Sequence, residues 1–236
     1  MFKHPRKYFI NGPRVGQGRR GVVLPSWGPA WFGPVVHNPC AMGDGTCPRR
    51  AFVLNGSDSP GDMPDRISAA LARYLLDRGW HADRMDVHTA QIGMCRVCNA
   101  CAFKTPGECA LRDDGRDVPR LMAQSDLFAF VSGIRFGGYP AAAKRALERT
   151  LPNVHPLFMV YRGEMHHRLR YAHRPYLVFV GWQPFPDAEA RCLYTRLTER
   201  NAINFQADHR TVVLEGDLAP EALDRELAEL VGEGIR

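Results

Sequence analysis

The sequence has no uninterrupted apolar run near the roughly 20 residues that a membrane-spanning helix needs. We therefore expect no membrane span, and because no secretory signal is evident we expect a cytoplasmic protein. A reducing compartment of that kind argues against structural disulfides among the seven cysteines. Hydrophobic residues make up 45% of the 236 positions, which is enough for one sizeable core.

Acidic residues are almost missing from the first fifty positions. Eight of the 31 lysines and arginines lie there, against one of the 25 acids, Asp44. The formal net charge of +6 therefore belongs to this segment, and the rest of the chain is close to neutral. Since a nucleic-acid-binding domain needs a basic face on its folded body, we do not expect nucleic acid as a partner.

Residues 1–49 also lack any sustained helical or strand period, and they are rich in glycine, proline and arginine. We interpret them as an irregular, basic N-terminal arm that precedes a single domain at residues 50–236. Trp27, Trp31 and Phe32 argue against a purely disordered tail. The arm would pack on a neighbouring subunit or cap the active site.

From residue 50 onward, short apolar runs alternate with segments of helical spacing. The predicted strands are residues 51–55, 81–88, 127–131, 175–180 and 211–214, and the predicted helices are residues 65–78, 118–122, 138–151, 187–201 and 220–231. Because the strand segments are apolar throughout instead of alternating, they predict a five-stranded parallel sheet covered by helices on both faces. The predicted fold class is α/β, in three layers.

Four of the seven cysteines lie close together, at Cys95, Cys98, Cys101 and Cys109, in a predicted loop over residues 93–110. Three ligands at two-residue gaps suit a cubane, in which several irons each take one thiolate, and they match the start of the ferredoxin motif. Zinc sites usually take their ligands from two separated pairs. The proline that ends the ferredoxin motif is missing here. An iron–sulfur cluster, ligand-free thiols, and zinc or a disulfide all remain open on spacing alone.

Two other loops follow predicted strands, where parallel sheets bind their ligands. The loop at residues 56–64 carries Ser57 and Ser59 before a helix, and it can hold a phosphate or simply cap the helix. The loop after the third strand has an aromatic residue and glycines that permit close approach to a flat ring, although a tight turn without a ligand would use the same residues. This second loop comprises Ser132, Gly133, Ile134, Arg135, Phe136 and Gly137.

Together these motifs resemble the flavodoxin-like NAD(P)H-dependent FMN reductase family and, within it, the iron–sulfur flavoproteins. The resemblance runs from about residue 51 to 153. It rests on Leu54-Asn-Gly-Ser57, on the compact cysteines followed by Asp113-Asp114, and on Ser132-Gly-Ile-Arg-Phe-Gly137 leading into Lys144-Arg-Ala-Leu-Glu-Arg149. The resemblance implies a flavodoxin-like three-layer sandwich.

The same resemblance implies the cofactors and their ligands. Ser57 and Ser59 would bind the FMN phosphate, and residues 134–137 would contact the isoalloxazine ring, with Ser132 and Gly133 in the same binding loop. Cys95, Cys98, Cys101 and Cys109 would bind a [4Fe-4S] cluster. Electrons would come from NAD(P)H or a ferredoxin-like donor and pass between FMN and the cluster, in a homodimer or homotetramer. No catalytic residue is implied.

Two other readings stay open. One is an NAD(P)H:FMN or quinone reductase without a cluster, and the other is a flavodoxin-fold binding protein that has lost FMN. The family's phosphate loop normally continues with an Asn-Thr pair, whereas this chain has Asp62-Met-Pro-Asp65. The change removes a hydroxyl and adds two acids near an anion site.

A stretch rich in histidine and arginine, residues 163–174, lies between the third predicted helix and the fourth predicted strand. Its length predicts an inserted loop or hairpin, and we expect a solvated basic loop. Binding of a nicotinamide phosphate or an acidic redox partner is the alternative. A metal site from Glu164, His166 and His167 is disfavoured, because adjacent residues point in different directions.

Overall fold

The computed structural model describes residues 48–232. The predicted arm, apart from its last two positions, therefore lies outside the described residues. The strands are β1 (Arg50–Gly56), β2 (His81–Asp86), β3 (Leu127–Gly133), β4 (Val154–Tyr161), β5 (Glu164–Leu169), β6 (Tyr176–Gln183) and β7 (His209–Glu215). The helices are α1 (Met63–Leu76), α2 (Ala100–Phe103), α3 (Asp117–Gln124), α4 (Ala141–Glu148), α5 (Ala188–Phe205) and α6 (Pro220–Gly232).

Five of the strands form one parallel sheet in the order β2-β1-β3-β6-β7. This confirms the predicted sheet. When the hairpin strands β4 and β5 are left out and the sheet strands are numbered along the chain, the order is 2-1-3-4-5, as in flavodoxin-like proteins. The chain winds outward from β1 in one direction to β2 and then in the other direction to β3. The topological switch point, where such sheets bind their ligands, therefore lies at the carboxyl ends of β1 and β3.

Helices cover both faces of the sheet, as predicted. One core layer joins α1 and α6 to the sheet through Ile67, Leu71 and Leu227, all fully buried. The opposite layer contains side chains of α3, α4 and α5 and the rings of Phe52 and Phe128, whose centroids are 5.5 Å apart. Burial of each such side chain contributes about 1.5–3 kcal/mol. Among the described residues, no helix combines the length and apolarity needed to cross a membrane.

The stretch at residues 163–174 supplies the second strand of an antiparallel hairpin, β4–β5, that stands apart from the main sheet. Its turn places Arg162 and Gly163 at φ values of 50° and 80°, as a two-residue hairpin turn requires. The prediction of a solvated basic loop is wrong for His166 and Arg170, which are only 7% and 8% exposed. Both side chains turn inward because they find polar partners on neighbouring elements.

Candidate functional site

The three loops singled out by the sequence meet at one edge of the sheet. Asn55 pairs with Asp86 at the ends of β1 and β2, and Gly56 pairs with Ser132 at the ends of β1 and β3. Because these strands are parallel, the loops that follow them leave from the same edge. The structure therefore places the predicted phosphate loop between the cysteine loop and the predicted ring-binding loop.

The loop after β1 is held together by Ser57 and Asp62. The buried Ser57 hydroxyl lies 2.6 Å from the Ser59 carbonyl oxygen and 2.7 Å from Oδ1 of Asp62, and it accepts the Ser59 N–H at 3.1 Å. Oδ1 of Asp62 also accepts the Asp65 N–H at 2.9 Å and so caps α1. The Ser57 hydroxyl, which was predicted to bind a phosphate, is therefore bonded to a carboxylate of the chain itself.

An oxyanion is thus already stabilised at the N-terminus of α1, as the helix dipole favours. A phosphate would have to displace the Asp62 carboxylate to bind these same groups. A cation is also at hand, because Arg135 reaches from the loop after β3 and donates to Asp58 at 2.9 Å. In this structure the carboxylate of Asp62 therefore occupies the anion position at the start of α1, and the Arg135 guanidinium is paired with Asp58.

The loop after β3 is a tight turn closed by two hydrogen bonds between the backbones of Arg135 and Gly138, at 2.9 and 2.8 Å. Phe136 and Gly137 occupy the left-handed region, with φ values of 50° and 74°. A Cβ on Gly137 would lie 2.6 Å from Cβ of Leu193, so this position requires glycine. The turn leaves the Phe136 ring fully exposed at the sheet edge, which fits stacking on a flat ligand.

The other predicted residues of this loop lie deeper. Ser132 is fully buried in β3, with its hydroxyl 3.5 Å from that of Tyr194, and Ile134 is 9% exposed. Gly133 is also buried in β3. These three residues are therefore in the core next to the turn, whereas Arg135 and Phe136 are exposed at the surface.

One further aromatic residue, Phe185, was not predicted from the sequence. It lies in the loop after β6 and is 78% exposed. With Phe136 and the half-exposed Leu193 of α5, it gives the carboxyl edge of the sheet three exposed apolar side chains, of the kind that mark binding surfaces. The available signal was an aromatic residue between two prolines directly after a buried strand.

The cysteine loop connects β2 to α3 and carries Cys95, Cys98, Cys101 and Cys109 as free thiols. Burial raises the pKa of the Cys101 thiol, and the charges of the other three thiols raise it further. Within residues 48–232, no three cysteine, histidine or acidic side chains form a group that could hold a metal ion. Although the other three thiols act electrostatically on Cys101, the cysteines within residues 48–232 do not form the tight arrangement that one tetrahedral ion needs. A cubane differs from such an ion because its thiolates bind different irons.

Backbone strain is concentrated in the same loop. Val97 and Asn99, on either side of Cys98, have φ values of 49° and 57°. The left-handed conformation costs about 1–2 kcal/mol for an L-residue, and a β-branched residue there is an outlier. Left-handed residues in a turn bring successive N–H groups together as an anion-binding concavity, which is common at iron–sulfur sites.

The two ends of the cysteine loop are bonded to each other. The Gln91 N–H donates to the Asp114 carboxylate at 2.7 Å, and the Gly93 N–H donates to Asp113 at 2.9 Å. From the base of the hairpin, Arg170 donates to the carbonyl oxygen of Cys101 at 3.2 Å. The loop is therefore closed and supported by the chain itself.

An open cleft of about 540 Å³ borders the cysteine loop. Its lining includes Cys95 and Val97 of that loop, Lys144 of α4, His167 of β5 and Asn201 of α5. His167 turns away from Glu164, since its Nδ1 lies 2.9 Å from the His155 carbonyl oxygen. The neighbouring His166 instead contacts Glu164 at 3.2 Å, in agreement with the expectation that adjacent histidines point apart.

The chain is similar in sequence to known flavoproteins. A sequence model described as NADPH-dependent FMN reductase matches residues 49–190. The chain is similar to an iron–sulfur flavoprotein of Archaeoglobus fulgidus, with 28% identity over 103 residues that cover 44% of this chain and 46% of the relative. An iron–sulfur flavoprotein of Methanosarcina thermophila is 24% identical over 98 residues, covering 42% and 50%. The chain thus spans about half the length of the curated relatives it matches.

Solved structures show the same architecture. An NAD(P)H:quinone oxidoreductase from Methanothermobacter marburgensis superposes with a TM-score of 0.58 at 11% identity, covering 80% of this chain and 100% of that one. An FMN-dependent NADH-azoreductase from Bacillus anthracis, in complex with FMN, gives a TM-score of 0.55 at 10% identity and the same coverage. At such low identity the likeness establishes the fold.

Proposed function

Because this chain belongs to the NADPH-dependent FMN reductase family of oxidoreductases, we propose that it is an FMN-dependent oxidoreductase that also holds a [4Fe-4S] cluster. It would take electrons from a nicotinamide or a ferredoxin-like donor and pass them between FMN and the cluster. The observation that carries the proposal is the position of the four-cysteine loop beside the two loops predicted to bind the flavin, at one sheet edge. The iron–sulfur flavoprotein relatives support it.

Four residues would bind FMN or shape its site. When bound, FMN supplies two-electron hydride chemistry that the side chains of the protein cannot. Phe136 offers its exposed ring to the flavin, and Gly137 keeps the turn close to α5. Ser59 and Arg135 would hold the phosphate, with Arg135 released from Asp58 as the anion binds.

The proposed cluster ligands are Cys95, Cys98, Cys101 and Cys109. A cluster supplies one-electron chemistry, so a protein with both centres converts hydride equivalents into single electrons. The left-handed backbone at Val97 and Asn99 and the bonded loop ends keep the four cysteines on one closed loop before any iron enters. Such an arrangement lowers the entropic cost of binding.

We further propose a homodimer or homotetramer. The outer face of the hairpin exposes Phe158, Val160 and Met165, which are 57%, 73% and 73% accessible in the single chain. Contiguous apolar side chains of this kind commonly mark protein contacts. Light scattering on the full-length protein gives the assembly mass directly, and a monomer would refute this part of the proposal.

The experiment that tests the function is to replace Cys98 by serine and to measure iron and flavin on protein purified without oxygen. We expect Cys98→Ser to lose iron and keep flavin. Cys192→Ser is the matched control, because Cys192 is an exposed free thiol on α5, outside the cysteine loop. Wild-type protein with flavin and no iron would indicate a cluster-free NAD(P)H:FMN or quinone reductase. Colourless protein that cannot be reconstituted would indicate a binding protein that has lost FMN.

A further inference from the structure

Arg149, for which the sequence predicted no role, contacts the cysteine loop at Gly93 and Cys109. It follows α4, and its side chain is 1% exposed, although arginine is almost never fully buried unless it is paired. Nη1 donates to the Gly93 carbonyl oxygen at 2.9 Å and to Oδ2 of Asp113 at 2.8 Å. Nη2 donates to Oδ1 of Asp113 at 2.7 Å and to Sγ of Cys109 at 3.4 Å.

The ion pair of Arg149 and Asp113 joins both ends of the cysteine loop. Asp113 also accepts the N–H groups of Gly93 and Gly115, at 2.9 and 3.1 Å. Gly93 thus donates to one member of the pair and accepts from the other. Arg149 lowers the pKa of the Asp113 carboxyl, chiefly through its hydrogen bonds. The pair is therefore charged and holds the loop closed.

The space around the guanidinium is shaped for it. A Cβ on Gly115 would lie 2.5 Å from Nη1 and 2.6 Å from Cζ of Arg149, far inside van der Waals contact. Any side chain at position 115 would displace the guanidinium from its partners. This offers a way to move Arg149 without changing a charge.

The contact with Cys109 has a chemical consequence for a cluster. A hydrogen bond from a cation to a cluster sulfur stabilises the reduced, more electron-rich state and so raises the reduction potential. Asp113 does not cancel this effect fully, because it is Nη2 of Arg149 that contacts the sulfur.

We propose that Arg149 is a positioning residue that raises the reduction potential of the cluster through Cys109 and that, with Asp113, closes the cysteine loop before iron binds. The inference rests on the proposed function, since its first part requires a cluster on Cys109. The oxidised cluster would take up one electron from the reduced flavin or from a chemical reductant. No bond forms or breaks, and no proton moves.

Three variants disturb the contact of Arg149 with Cys109 in different ways. Arg149→Lys keeps the charge and loses the fork that contacts Asp113 and Cys109 together. Gly115→Ala keeps both partners and displaces the guanidinium. Arg149→Gln with Asp113→Asn removes the pair without leaving a buried carboxylate unpaired, which guards against misfolding. The control is Arg120→Gln, because Arg120 is bonded to Asp117 through two nitrogens and is exposed on α3.

The first readout is the midpoint potential of the cluster in full-length holoprotein, from a redox titration followed by electron paramagnetic resonance. We expect a shift to more negative potential in all three test variants, with the flavin potential and the Arg120→Gln control unchanged. Test variants with full iron content and the wild-type cluster potential would overturn the first part of the inference. Wild-type protein that takes up no iron would instead reject the proposed function, and the first part with it.

The second readout tests loop closure without iron. After a chelator has removed iron from every sample, trypsin is used to cut at Arg96 and Lys104, which are exposed in the loop. Loss of one charge-assisted hydrogen bond predicts roughly tenfold faster cleavage in the test variants and no change in the control. Equal cleavage in wild type and test variants would overturn the second part.

Discussion

Arg135 and Asp58 form an ion pair, at 2.9 Å, that joins the loop after β3 to the loop after β1. The two side chains are 61% and 43% exposed, so the pair contributes at most about 1 kcal/mol to folding. Its importance is for binding, because it holds a guanidinium at the predicted phosphate loop and within the turn that carries Phe136.

Arg135→Gln is therefore expected to weaken FMN binding by roughly tenfold, the loss of one charge-assisted hydrogen bond. The free energy of unfolding should change by no more than about 0.5 kcal/mol. Titration of FMN into apoprotein, followed by quenching of flavin fluorescence, measures the affinity. Arg120→Gln is the control, and equal affinity in the Arg135 variant and wild type would show that the guanidinium does not contact the phosphate.

Asp62→Asn is expected to have the opposite effect. Asparagine caps a helix as well as aspartate does, so α1 should be kept while a negative charge leaves the anion site. FMN affinity should rise by roughly tenfold, because the group that the phosphate has to displace loses its negative charge. The control is Asp77→Asn, which removes an exposed carboxylate at the other end of α1. Weaker binding in Asp62→Asn would mean that Asp62 supports the cofactor.

Val97→Asn is expected to stabilise the iron-free protein. Asparagine tolerates positive φ far better than valine, and the Val97 side chain is 70% exposed, so little burial is lost. Relief of about 1 kcal/mol corresponds to a rise of ~3 °C in melting temperature. Val160→Asn, at a valine of 73% exposure in β4, is the control and should give no rise. An unchanged melting temperature for Val97→Asn would argue against stored strain.

The hairpin should loosen from α5 in acid. Hydrogen bonds from Arg200 lower the pKa of Glu164 to about 2, from about 4.3 in an unfolded chain. A depressed carboxyl pKa stabilises the fold above the unfolded value, and this stability is lost as the pH falls towards 2. Wild type should therefore lose more melting temperature between pH 5 and pH 3 than Glu164→Gln does. Glu226→Gln, on the exposed side of α6, should behave as wild type, and identical pH profiles for all three proteins would refute this account.

Much of the fold was predictable because it is written in local patterns. The strand predicted at residues 127–131 corresponds to β3, in which every residue is buried. The helical spacing of Ile67, Leu71 and Leu75 correctly predicted α1. Strand ends were less predictable. β6 continues to Gln183, because Gly181 and Gln183 pair with β7 although neither is apolar.

The candidate site was predictable only where its residues are neighbours in sequence. The four cysteines form a local motif, whereas Arg149 meets Asp113 across 36 positions and Arg170 meets Cys101 across 69. Nothing local distinguishes a buried arginine from an exposed one in a basic stretch. For Asp62, the sequence indicated an acid that is unfavourable near a bound phosphate. The structure adds that its carboxylate is bonded to Ser57 and Asp65.

The most direct test of the central claim is a reductive titration of protein purified without oxygen, with iron and flavin measured on the same sample. A chain that holds one FMN and one cluster should take up about three electrons from dithionite, two at the flavin and one at the cluster. Uptake of about two electrons, with flavin present and iron absent, would contradict the claim and leave a simple flavin reductase.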